Sequence, residues 1–457
     1  MHYPWWYVPL LTSPMLIAIV SVIHVLVSHY AVGGGFFLAL ETSYAYRSNN
    51  RNYLDYLKSH AWFFILVTVV FGAITGVGIW WTIGLASPLA TETLINIFVF
   101  GWAMEYVFFV IEIASAFIFY YYWGRLDSKT HTTIGWIYAL SAWISLVLIG
   151  GITAFMLNSG NWLNNRNFWV AFFNPQFVPQ VIVRTGGSFL LASLYVYLHA
   201  TFTIKDKELQ NLIMKRSARP SLLGAILVIV GGAGWFIFLP ESAKAALLAA
   251  SVINVLMIII TALAAMLLIM LYFGPYRNPG WLSSGFAIML FLMGLAAIAT
   301  GEYIREAVRK PYIIYNVVTS NQLLTDEIAS TKQKGYLESG VWTKAYVKNY
   351  YPQLMDEDKI DESKLLILAE SDRVKLGRVL FQYHCNDCHS DTDGYIAVGH
   401  LASGWTPEIV RLIVKHPEKA HFFMPPFMGT DEEAELLTDY ILSIRREFPG
   451  GMYYGKH

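Results

Sequence analysis

The stretch "FQYHCNDCHSD", residues 381–391, decides the fold of the C-terminal part of this 457-residue chain. It contains the only two cysteines of the sequence, Cys385 and Cys388, and His389 follows them directly. Two cysteines at this spacing with an adjacent histidine indicate covalent haem attachment rather than a disulfide framework. The thiols form thioethers to the haem, and the imidazole takes one axial position on the iron. The alternatives are a chance match and half of a zinc site, and the absence of any other cysteine disfavours the latter.

The sixth iron ligand is expected downstream, in "HFFMPPFMGT", residues 421–430. Met424 precedes two prolines and is the preferred axial methionine, with Met428 as the alternative. Histidine–methionine ligation raises the reduction potential above that of a bis-histidine haem. Helical patterns flank the motif, with "ESDRVKLGRVLFQYH" before it and "DEEAELLTDYILSIRREF" after it. Four further histidines of this region are expected to be exposed surface residues rather than ligands: His384, His400, His416 and His421.

The rest of the chain has the composition of a membrane protein. Hydrophobic residues make up 56% of the sequence, charged residues 14%, and the mean hydropathy is +0.46. Soluble domains carry about 25% charged residues. The formal net charge is zero, so electrostatics give no support for a nucleic-acid partner, and membrane lipids are the expected surroundings. No cleavable signal peptide is expected, because the N-terminal residues lack a basic region and the apolar run after them is too long.

Eight apolar runs are long enough to cross a bilayer, which takes about 20 helical residues. They are residues 14–45, 61–83, 95–123, 133–157, 181–202, 221–240, 246–273 and 282–304. Aromatic residues cluster at the ends of these runs, as expected at membrane–water interfaces. The predicted fold class is therefore all-α: an eight-span transmembrane helix bundle with a C-terminal monohaem class I cytochrome c-like domain. We expect a transmembrane domain at 1–304, a connecting segment at 305–370 and a cytochrome c domain at 371–457.

The loops between these runs alternate in charge, which predicts the orientation of the chain. One set of loops holds little beyond Arg166 and Lys244. The other set, expected to be cytoplasmic, holds Arg47, Arg51, Lys58, Arg125, Lys129, Lys205, Lys207, Lys215, Arg216, Arg219 and Arg277. The N-terminus and the haem c domain are then both periplasmic, in a bacterial inner (cytoplasmic) membrane. Haem c is attached on that side, so two independent arguments agree.

Ionisable residues inside membrane spans are rare and usually functional. The first run contains His24 and His29, which could ligate haem or only hydrogen-bond a neighbouring helix. The third run contains Glu105 and Glu112, which lie two helical turns apart and share one face. The eighth run ends with two further carboxylates, Glu302 and Glu306, of which the first could simply reach the headgroups.

These residues resemble subunit I of the cytochrome bd oxidases, in four motifs that occur in the family's order. The first span matches with His24, Gly33 and Glu41, and the third with "EIASAFIFYYYWGRLD", residues 112–127. The other two are "FMLNSGNWL", residues 155–163, and "REAVRKPYIIYNVVTSN", residues 305–321. The last is similar to the family's Glu-x-x-Arg-Gln-Pro-Trp signature. The likeness covers about residues 10–318.

The resemblance implies roles for individual residues. His24 takes the place of an axial ligand of one high-spin haem, and Glu306 that of the carboxylate ligand of the other. Arg309 takes the place of the signature arginine and is expected to contact cofactor. Glu105 and Glu112 occupy the positions of the family's third-span glutamates, one residue closer together than usual. They are the predicted catalytic residues, bringing protons from inside or stabilising charge on reduced haem.

Three departures from the family together indicate a different entry point for electrons. Arg184 stands where the family has the histidine that ligates the low-spin haem b, and a guanidinium cannot ligate iron. It could pair with haem propionates instead, while Met257, near the place of the partner methionine, is expected to be ordinary helix packing. The family's long quinol-binding loop is reduced to "LPESAKAA", residues 239–246, and its ninth span is replaced by the haem c region. The interpretation is that haem c replaces the loop-bound quinol as the electron port.

Three functions remain open from the sequence. The first is a bd-like haem oxidoreductase that passes electrons between periplasmic haem c and buried membrane haems and reduces oxygen or another small molecule. The second is a non-oxidase electron conduit in a larger respiratory complex, linking quinone and periplasmic cytochromes. The third is a membrane anchor that only presents haem c. The expected cofactors are one covalent haem c and one or two haems b or d. The expected partners are a bd subunit II-like membrane protein, a periplasmic c-type cytochrome or other respiratory subunits, and quinone.

Overall fold

The computed structural model describes residues 4–281 and 283–446. Within these residues the chain is mostly helical with very little strand, so the predicted all-α class is confirmed. The α-helices, α1 to α20 in chain order, are Ser13–Arg47, Arg51–Ile65, Gly72–Ala86, Pro88–Ile97, Val99–Tyr121, Ser128–Phe155, Trp162–Asn165, Phe168–Phe172, Phe177–Thr203, Lys207–Ile237, Glu241–Ala249, Ser251–Leu271, Ser284–Ala307, Ile328–Ser339, Thr343–Tyr350, Glu370–His384, Val398–Leu401, Pro407–Lys415, Pro417–Ala420 and Asp431–Ile444. Two short antiparallel pairs join β1 (Tyr312–Ile314) to β2 (Val318–Thr319) and β3 (Met355–Asp356) to β4 (Lys359–Ile360).

In the described part of the chain, eight helical spans are long and apolar enough to cross a membrane, as predicted. They are Ser13–Arg47, Arg51–Ala86, Val99–Tyr121, Ser128–Phe155, Phe177–Thr203, Lys207–Ile237, Ser251–Arg277 and Ser284–Ala307. The second span begins 10 residues before its apolar run and the sixth begins 14 residues before, because their first turns also contain polar and charged residues. Hydropathy therefore located each span but not the full length of its helix.

The structure contains two compact units that are discontinuous in the sequence. The bundle unit comprises Val20–Ile79 and Thr93–Arg309, and the tail unit comprises Met1–Ile19, Trp80–Glu92 and Lys310–His457. The expected boundaries at 304/305 and 370/371 divide the chain along its sequence, and they stay a prediction. The predicted tail helix that ends at residue 448, and residues 449–457 of the predicted cytochrome c domain, extend beyond the described residues.

Small residues allow the helices of the bundle unit to approach closely. A Cβ atom added at Gly186 would lie 2.6 Å from the carbonyl oxygen of Gly224, and one added at Gly224 would lie 2.5 Å from that of Gly186. Gly33 meets the carbonyl of Ser188 in the same way, at 2.0 Å. Such contacts between glycines are typical of packed membrane helices. They bring α1, α9 and α10 together and so place the polar residues of these helices near one another.

The tail unit is built around two crossing helices, α16 and α20. A Cβ atom at Gly377 would lie 2.1 Å from the carbonyl oxygen of Leu436, so the crossing requires glycine. The segment 310–370 shows no apolar periodicity, yet it contributes buried side chains to the same core, among them Tyr336 and Trp342. Helix α20 starts with a capping box in which Thr430 and Glu433 satisfy each other's backbone groups. The haem-attachment motif follows α16 directly.

Candidate haem sites

The haem-attachment motif forms a tight turn at the end of α16. The backbone N–H groups of Cys388 and His389 donate to the carbonyl of Cys385, at 3.1 and 3.0 Å. The two cysteines are not joined by a disulfide bond. Nδ1 of His389 lies 2.8 Å from the carbonyl oxygen of Ile396, so it carries the proton and donates. The lone pair of Nε2 is then available to iron, which is the arrangement that haem ligation needs.

Burial sets the protonation of this motif. It raises the pKa of the Cys385 thiol to about 12, and the neighbouring sulfur of Cys388 acts in the same direction. Burial also lowers the pKa of the His389 imidazole, against the opposing effect of its hydrogen bond to Ile396. The imidazole is therefore neutral at neutral pH, which is the form that binds a metal. The residues present fit a covalently bound haem c.

The two candidate methionines lie in different surroundings. Met428 is 3% exposed and belongs to the apolar core of the tail unit, and its backbone N–H donates to the hydroxyl of Tyr336 at 3.0 Å. Met424 is half-buried, and its backbone N–H donates to the carbonyl of His421 at 3.0 Å. The Met428 side chain is thus already committed to packing, which supports the prediction that Met424 is the axial ligand.

One expectation for this region is wrong. His384 was expected at the surface, but it is 8% exposed. Its Nδ1 accepts from the hydroxyl of Tyr336 at 2.8 Å and from the amide of Asn321 at 3.1 Å. Burial lowers the pKa of His384 to about 4. Its partners come from the segment 310–370, whose packing the sequence pattern did not show. His400, His416 and His421 are exposed or half-exposed, as expected.

A partly buried ion pair joins the haem-attachment motif to Lys310 of the fourth family-like signature. Nζ of Lys310 donates to Oδ2 of Asp387 at 2.6 Å, and each side chain is 13% exposed. Asp387 lies between the two haem-attaching cysteines and directly precedes Cys388. Sequence reasoning missed this contact, because 77 positions separate the partners and nothing local marks either charge.

The N-terminal segment is also bound to the haem-attachment region. The hydroxyls of Tyr7 and Tyr440 donate to Oδ2 of Asp391, at 2.7 and 3.2 Å. The ring of Trp5 lies 4.3 Å from that of Tyr383. Burial is the main cause that raises the pKa of Tyr7 to about 12, and the hydrogen bond to Asp391 acts in the same direction. The sequence suggested only an interfacial role for Trp5, whereas the structure packs it against the core of the tail unit.

His24 in the first span is held in the tautomer that a haem ligand needs. Its Nδ1 lies 3.0 Å from the hydroxyl oxygen of Thr75. That hydroxyl donates its single proton to the backbone carbonyls of Phe71 and Gly72, each at 3.1 Å. Thr75 therefore accepts from Nδ1 of His24, which leaves the lone pair on Nε2. A Cβ atom at Gly76 would lie 3.2 Å from Cε1 of His24, so the glycine leaves space beside the ring.

His29 is a second residue with this arrangement. It is buried, and its Nδ1 donates to the carbonyl of Val25 at 2.8 Å, so Nε2 holds the lone pair. Gly187 of the fifth span faces the ring, because a Cβ atom there would lie 3.4 Å from Cδ2 of His29. Both first-span histidines interact electrostatically with Arg184. The sequence left the role of His29 open, and the structure makes it as suitable a ligand as His24.

Arg184 lies in a network of charges rather than alone. Its guanidinium is 3.8 Å from Oε1 of Glu302, and Nε of Arg305 donates to Oε2 of the same carboxylate at 2.8 Å. With its amide reoriented, Gln180 also accepts from Arg184. Two arginines thus share one carboxylate, so the cluster carries an excess positive charge that suits a haem propionate. Glu302 is therefore an ion-pair residue and does not simply reach the headgroups.

Glu306 and Arg309 lie at the end of the eighth span and form an ion pair with each other. The Glu306 side chain is 38% exposed, whereas the Arg309 side chain is buried. Nη1 of Arg309 also lies 3.6 Å from Sδ of Met156. Met257 is half-buried in α12, as expected for helix packing.

Glu105 and Glu112 both face the fourth span. Ser145 donates to Oε1 of Glu105 at 2.9 Å, and Tyr138 donates to Oε1 of Glu112 at 3.1 Å. Both pairs of partners are seven residues apart, so two antiparallel helices place one hydroxyl against each carboxylate. The predicted common face is therefore present, and it points toward polar partners in the bundle.

The comparisons agree with the resemblance seen in the motifs. Residues 13–236 match the family described as cytochrome bd terminal oxidase subunit I. Residues 372–441 match the family described as cytochrome c oxidase, cbb3-type, subunit III. The structure of bd oxidase from Geobacillus thermodenitrificans is similar in fold, with a TM-score of 0.58 at 18% identity over 67% of this chain and 88% of that chain.

Curated adenylate kinases match a short part of the chain. The protein of Rickettsia bellii is 29% identical over 104 residues, covering 21% of this chain and 49% of the kinase. That of Rickettsia conorii is 27% identical over 104 residues, with the same coverage. The chain thus spans about half the length of the curated relatives it matches. We do not infer kinase activity for this chain. The two matched families imply haem cofactors, haem c among them, and a subunit II partner in the membrane.

Proposed function

We propose that this chain, a bd oxidase subunit I-like membrane electron-transfer protein fused to a C-terminal cytochrome c domain, conducts electrons between a periplasmic haem c site and a buried haem site, with oxygen as terminal acceptor. His389 and Met424, together with the two cysteines, would hold the first site. In the bundle unit, His24 would ligate one high-spin haem and Glu306 the other, as the resemblance implies. When bound, haem supplies one-electron chemistry and an iron centre for a small acceptor.

The hydrogen bond between Lys310 and Asp387 is the observation that carries this proposal. Asp387 directly precedes Cys388, through which haem c is attached. Only three residues separate Lys310 from Glu306 along the chain. The contact therefore links the haem-attachment motif to the signature that contains the proposed carboxylate ligand.

The charges of the bundle unit support the second haem site. Arg184 and Arg305 provide guanidinium groups for propionates, and the first-span histidines offer free Nε2 lone pairs. Glu105 and Glu112, each with a hydroxyl partner, hold and transfer the protons that a reduced acceptor requires. The basic loops support a cytoplasmic side for protons and a periplasmic side for haem c.

The pairing of Glu306 with Arg309 favours a second candidate function. A carboxylate committed to a guanidinium ligates iron less readily, and without that ligand the chain would be a conduit. It would then link quinone and periplasmic cytochromes within a larger complex and bind no oxygen.

Spectroscopy of the purified protein with its membrane partner tests the proposal. A pyridine haemochrome assay should show haem c together with haem b or d, and the reduced protein should bind CO. Oxygen uptake should then be supported by reduced c-type cytochrome better than by quinol. A fully low-spin protein that binds no CO would favour the conduit function. A protein with haem c as its sole haem would be a membrane anchor that only presents haem c.

A further inference from the structure

Tyr336 of the connecting segment has a hydroxyl group whose hydrogen-bonding capacity is completely used. The residue is 0% exposed. Its hydroxyl donates to Nδ1 of His384 at 2.8 Å, and it accepts from the amide of Asn321 at 3.1 Å and from the backbone N–H of Met428 at 3.0 Å. A hydroxyl has one proton and two lone pairs, so all three positions are occupied. One side chain thus joins three segments that are far apart in the sequence.

The direction of these hydrogen bonds follows from the partners. The amide nitrogen of Asn321 and the backbone N–H of Met428 can only donate, so the oxygen of Tyr336 accepts from both. The proton of the hydroxyl is then left for Nδ1 of His384, which is the one remaining partner. Oδ1 of Asn321 pairs with the hydroxyl of Thr319 at 2.7 Å, which fixes the orientation of the amide. The Tyr336 hydroxyl therefore has a single arrangement in which every polar group around it is paired.

Met428 ends the short stretch that contains the proposed sixth ligand of haem c. This methionine stretch, residues 424–428, has two prolines between its two methionines. Proline fixes φ, so the stretch has little conformational freedom between its ends. The ring of Phe427 also packs edge-on against the rings of Tyr336 and His384, at 5.4 and 5.3 Å. Fixing residues 427 and 428 therefore restricts where the side chain of Met424 can lie.

The other partner of the Tyr336 hydroxyl lies at the start of the haem-attachment motif. His384 is the last residue of α16 and directly precedes Cys385. The backbone N–H of Cys385 donates to the carbonyl of Phe381 at 2.8 Å, so the motif continues from the helix without a break in hydrogen bonding. The hydroxyl thus joins the segment that provides the histidine ligand to the segment that provides the methionine ligand.

The backbone of Tyr336 is itself held in place by α20. The backbone N–H groups of Tyr336 and Leu337 donate to the two carboxylate oxygens of Glu433, each at 2.7 Å. Gly335 has a φ of +78°, and a Cβ atom there would lie 2.5 Å from Oε1 of Glu433. Glycine is therefore required at this turn. Because both the backbone and the hydroxyl of Tyr336 are bound, the fold determines where the hydroxyl lies.

We propose that Tyr336 is a positioning residue for the methionine ligand of haem c, because its hydroxyl holds the methionine stretch against the end of α16. The proposal rests on the proposed function, which assigns the sixth iron position to Met424. Tyr336 and Asn321 lie outside residues 372–441, which match the cytochrome c family. The connecting segment therefore supplies a part of the haem c site that the matched region does not contain.

Tyr336→Phe tests the proposal, because it removes the hydroxyl and keeps the ring. The intact oxidised protein is titrated with imidazole, which competes with methionine for the sixth iron position. The far-red absorption band of methionine-ligated haem c reports the displacement. The apparent association constant of imidazole should rise about tenfold, which corresponds to about 1.4 kcal/mol, since the N–H of Met428 loses its buried partner.

Tyr383→Phe is the matched control. Tyr383 is 1% exposed, its ring lies 5.4 Å from that of Tyr336, and its hydroxyl accepts from the backbone N–H of Val341 at 3.3 Å. The variant also leaves one backbone N–H unpaired, but away from the methionine stretch, so imidazole should bind as in wild type. Asn321→Ala keeps the Tyr336 hydroxyl and removes one of its partners. It should raise imidazole binding about threefold.

Imidazole binding at the wild-type level in Tyr336→Phe would overturn the positioning role and leave the proposed function intact. If Tyr336→Phe does not fold, the same result in Asn321→Ala would overturn it. An equal increase in Tyr383→Phe would also overturn it, because general loosening of the core would then explain the effect. A wild-type protein that lacks the methionine band would instead overturn the assignment of Met424 in the proposed function, and the positioning role with it.

Discussion

The ammonium group of Lys310 donates a 2.6 Å hydrogen bond to the carboxylate of Asp387, between the two cysteines that attach haem. Both side chains are largely withdrawn from water. Removing one partner of such a pair leaves the other charge desolvated and uncompensated, which costs more than the pair itself contributes. The contact therefore fixes the conformation of the haem-attachment loop against the end of the family-like signature.

Lys310→Met should loosen this loop and slow electron transfer between haem c and the membrane haem. We expect a loss of about 2 kcal/mol of stability in the tail unit, below the full cost of a completely buried pair. Stopped-flow spectroscopy of haem c oxidation measures the rate. Lys348→Met removes a cation from an exposed pair with Asp358, at 3.4 Å, and should change neither quantity. Equal rates in wild type and Lys310→Met would contradict the role given to this contact.

His24→Ala should remove a membrane haem and leave haem c in place, because the substitution deletes a free Nε2 lone pair. Thr75→Val should weaken the same haem more mildly, since it removes only the acceptor that fixes the tautomer of His24. The pyridine haemochrome ratio of haem b or d to haem c measures both effects. His131→Phe, at a buried histidine whose two nitrogens already have partners, should preserve the ratio. A normal ratio in His24→Ala would transfer the ligand role to His29.

Met424 and Met428 should respond differently to truncation. Met424→Ala should abolish low-spin ligation of haem c and lower its reduction potential, with a modest effect on folding. Met428→Ala should leave the spectrum intact but destabilise the tail unit by about 2–5 kcal/mol, the usual cost of truncating a core methionine. Optical spectra and thermal unfolding of the two variants separate the effects. The reverse pattern would assign the ligand to Met428.

The free energy of unfolding of the tail unit should fall as the pH rises from about 4.5 to 7, because Glu433 loses its proton in that range. Burial raises the pKa of this carboxyl to about 7, although the backbone N–H groups of Leu337 and Tyr336 oppose the shift. In that window the folded chain binds more protons than the unfolded chain, so the free energy of unfolding falls with pH. Protonated Glu433 contributes about 3 kcal/mol to the free energy of unfolding. This contribution is complete below pH 4.5 and is lost above pH 7.

The Glu433 effect is measured as the pH dependence of thermal unfolding, followed by the haem c absorbance. Glu433→Gln should remove this slope, whereas Glu432→Gln makes the same change at the preceding residue and should retain it. His384 acts in the opposite direction, because burial lowers its pKa to about 4. Its contribution is present above pH 6.5 and is lost as the pH falls. His384 is present in both wild type and Glu433→Gln, so its effect cancels when the two proteins are compared. The same pH dependence of unfolding in both proteins would disprove the role of Glu433.

Arg184 and Glu302 should be energetically coupled. Arg184→Leu alone leaves Glu302 with only Arg305, and Glu302→Leu alone leaves two arginines without a carboxylate. Each should destabilise the bundle unit by about 3 kcal/mol. The double variant should lose clearly less stability than the two single variants lose together. The difference, about 1–2 kcal/mol, is the coupling energy of the pair. Denaturation of the four proteins in detergent completes the cycle, and additive costs would show that the pair does not interact.

The features predicted correctly from the sequence are those that a short stretch encodes by itself. The eight spans follow from mean hydropathy over about 20 residues, and the cytochrome c domain of the tail follows from a motif of five consecutive residues, 385–389. The common face of Glu105 and Glu112 follows from helical periodicity alone. His384 was predicted wrongly for the converse reason, since the groups that bury it lie on Asn321 and Tyr336, far away in the sequence.

The sequence by itself thus indicated the eight apolar spans found in the described residues, and it indicated a motif for covalent haem attachment at 385–389. The tertiary structure alone decided which polar groups meet. Lys310 contacts Asp387, and Arg184 and Arg305 share the carboxylate of Glu302. Contacts of the second kind depend on how each helix is rotated against its neighbours. Packing of small residues such as Gly186 and Gly224 sets that rotation, and hydropathy carries no information about it.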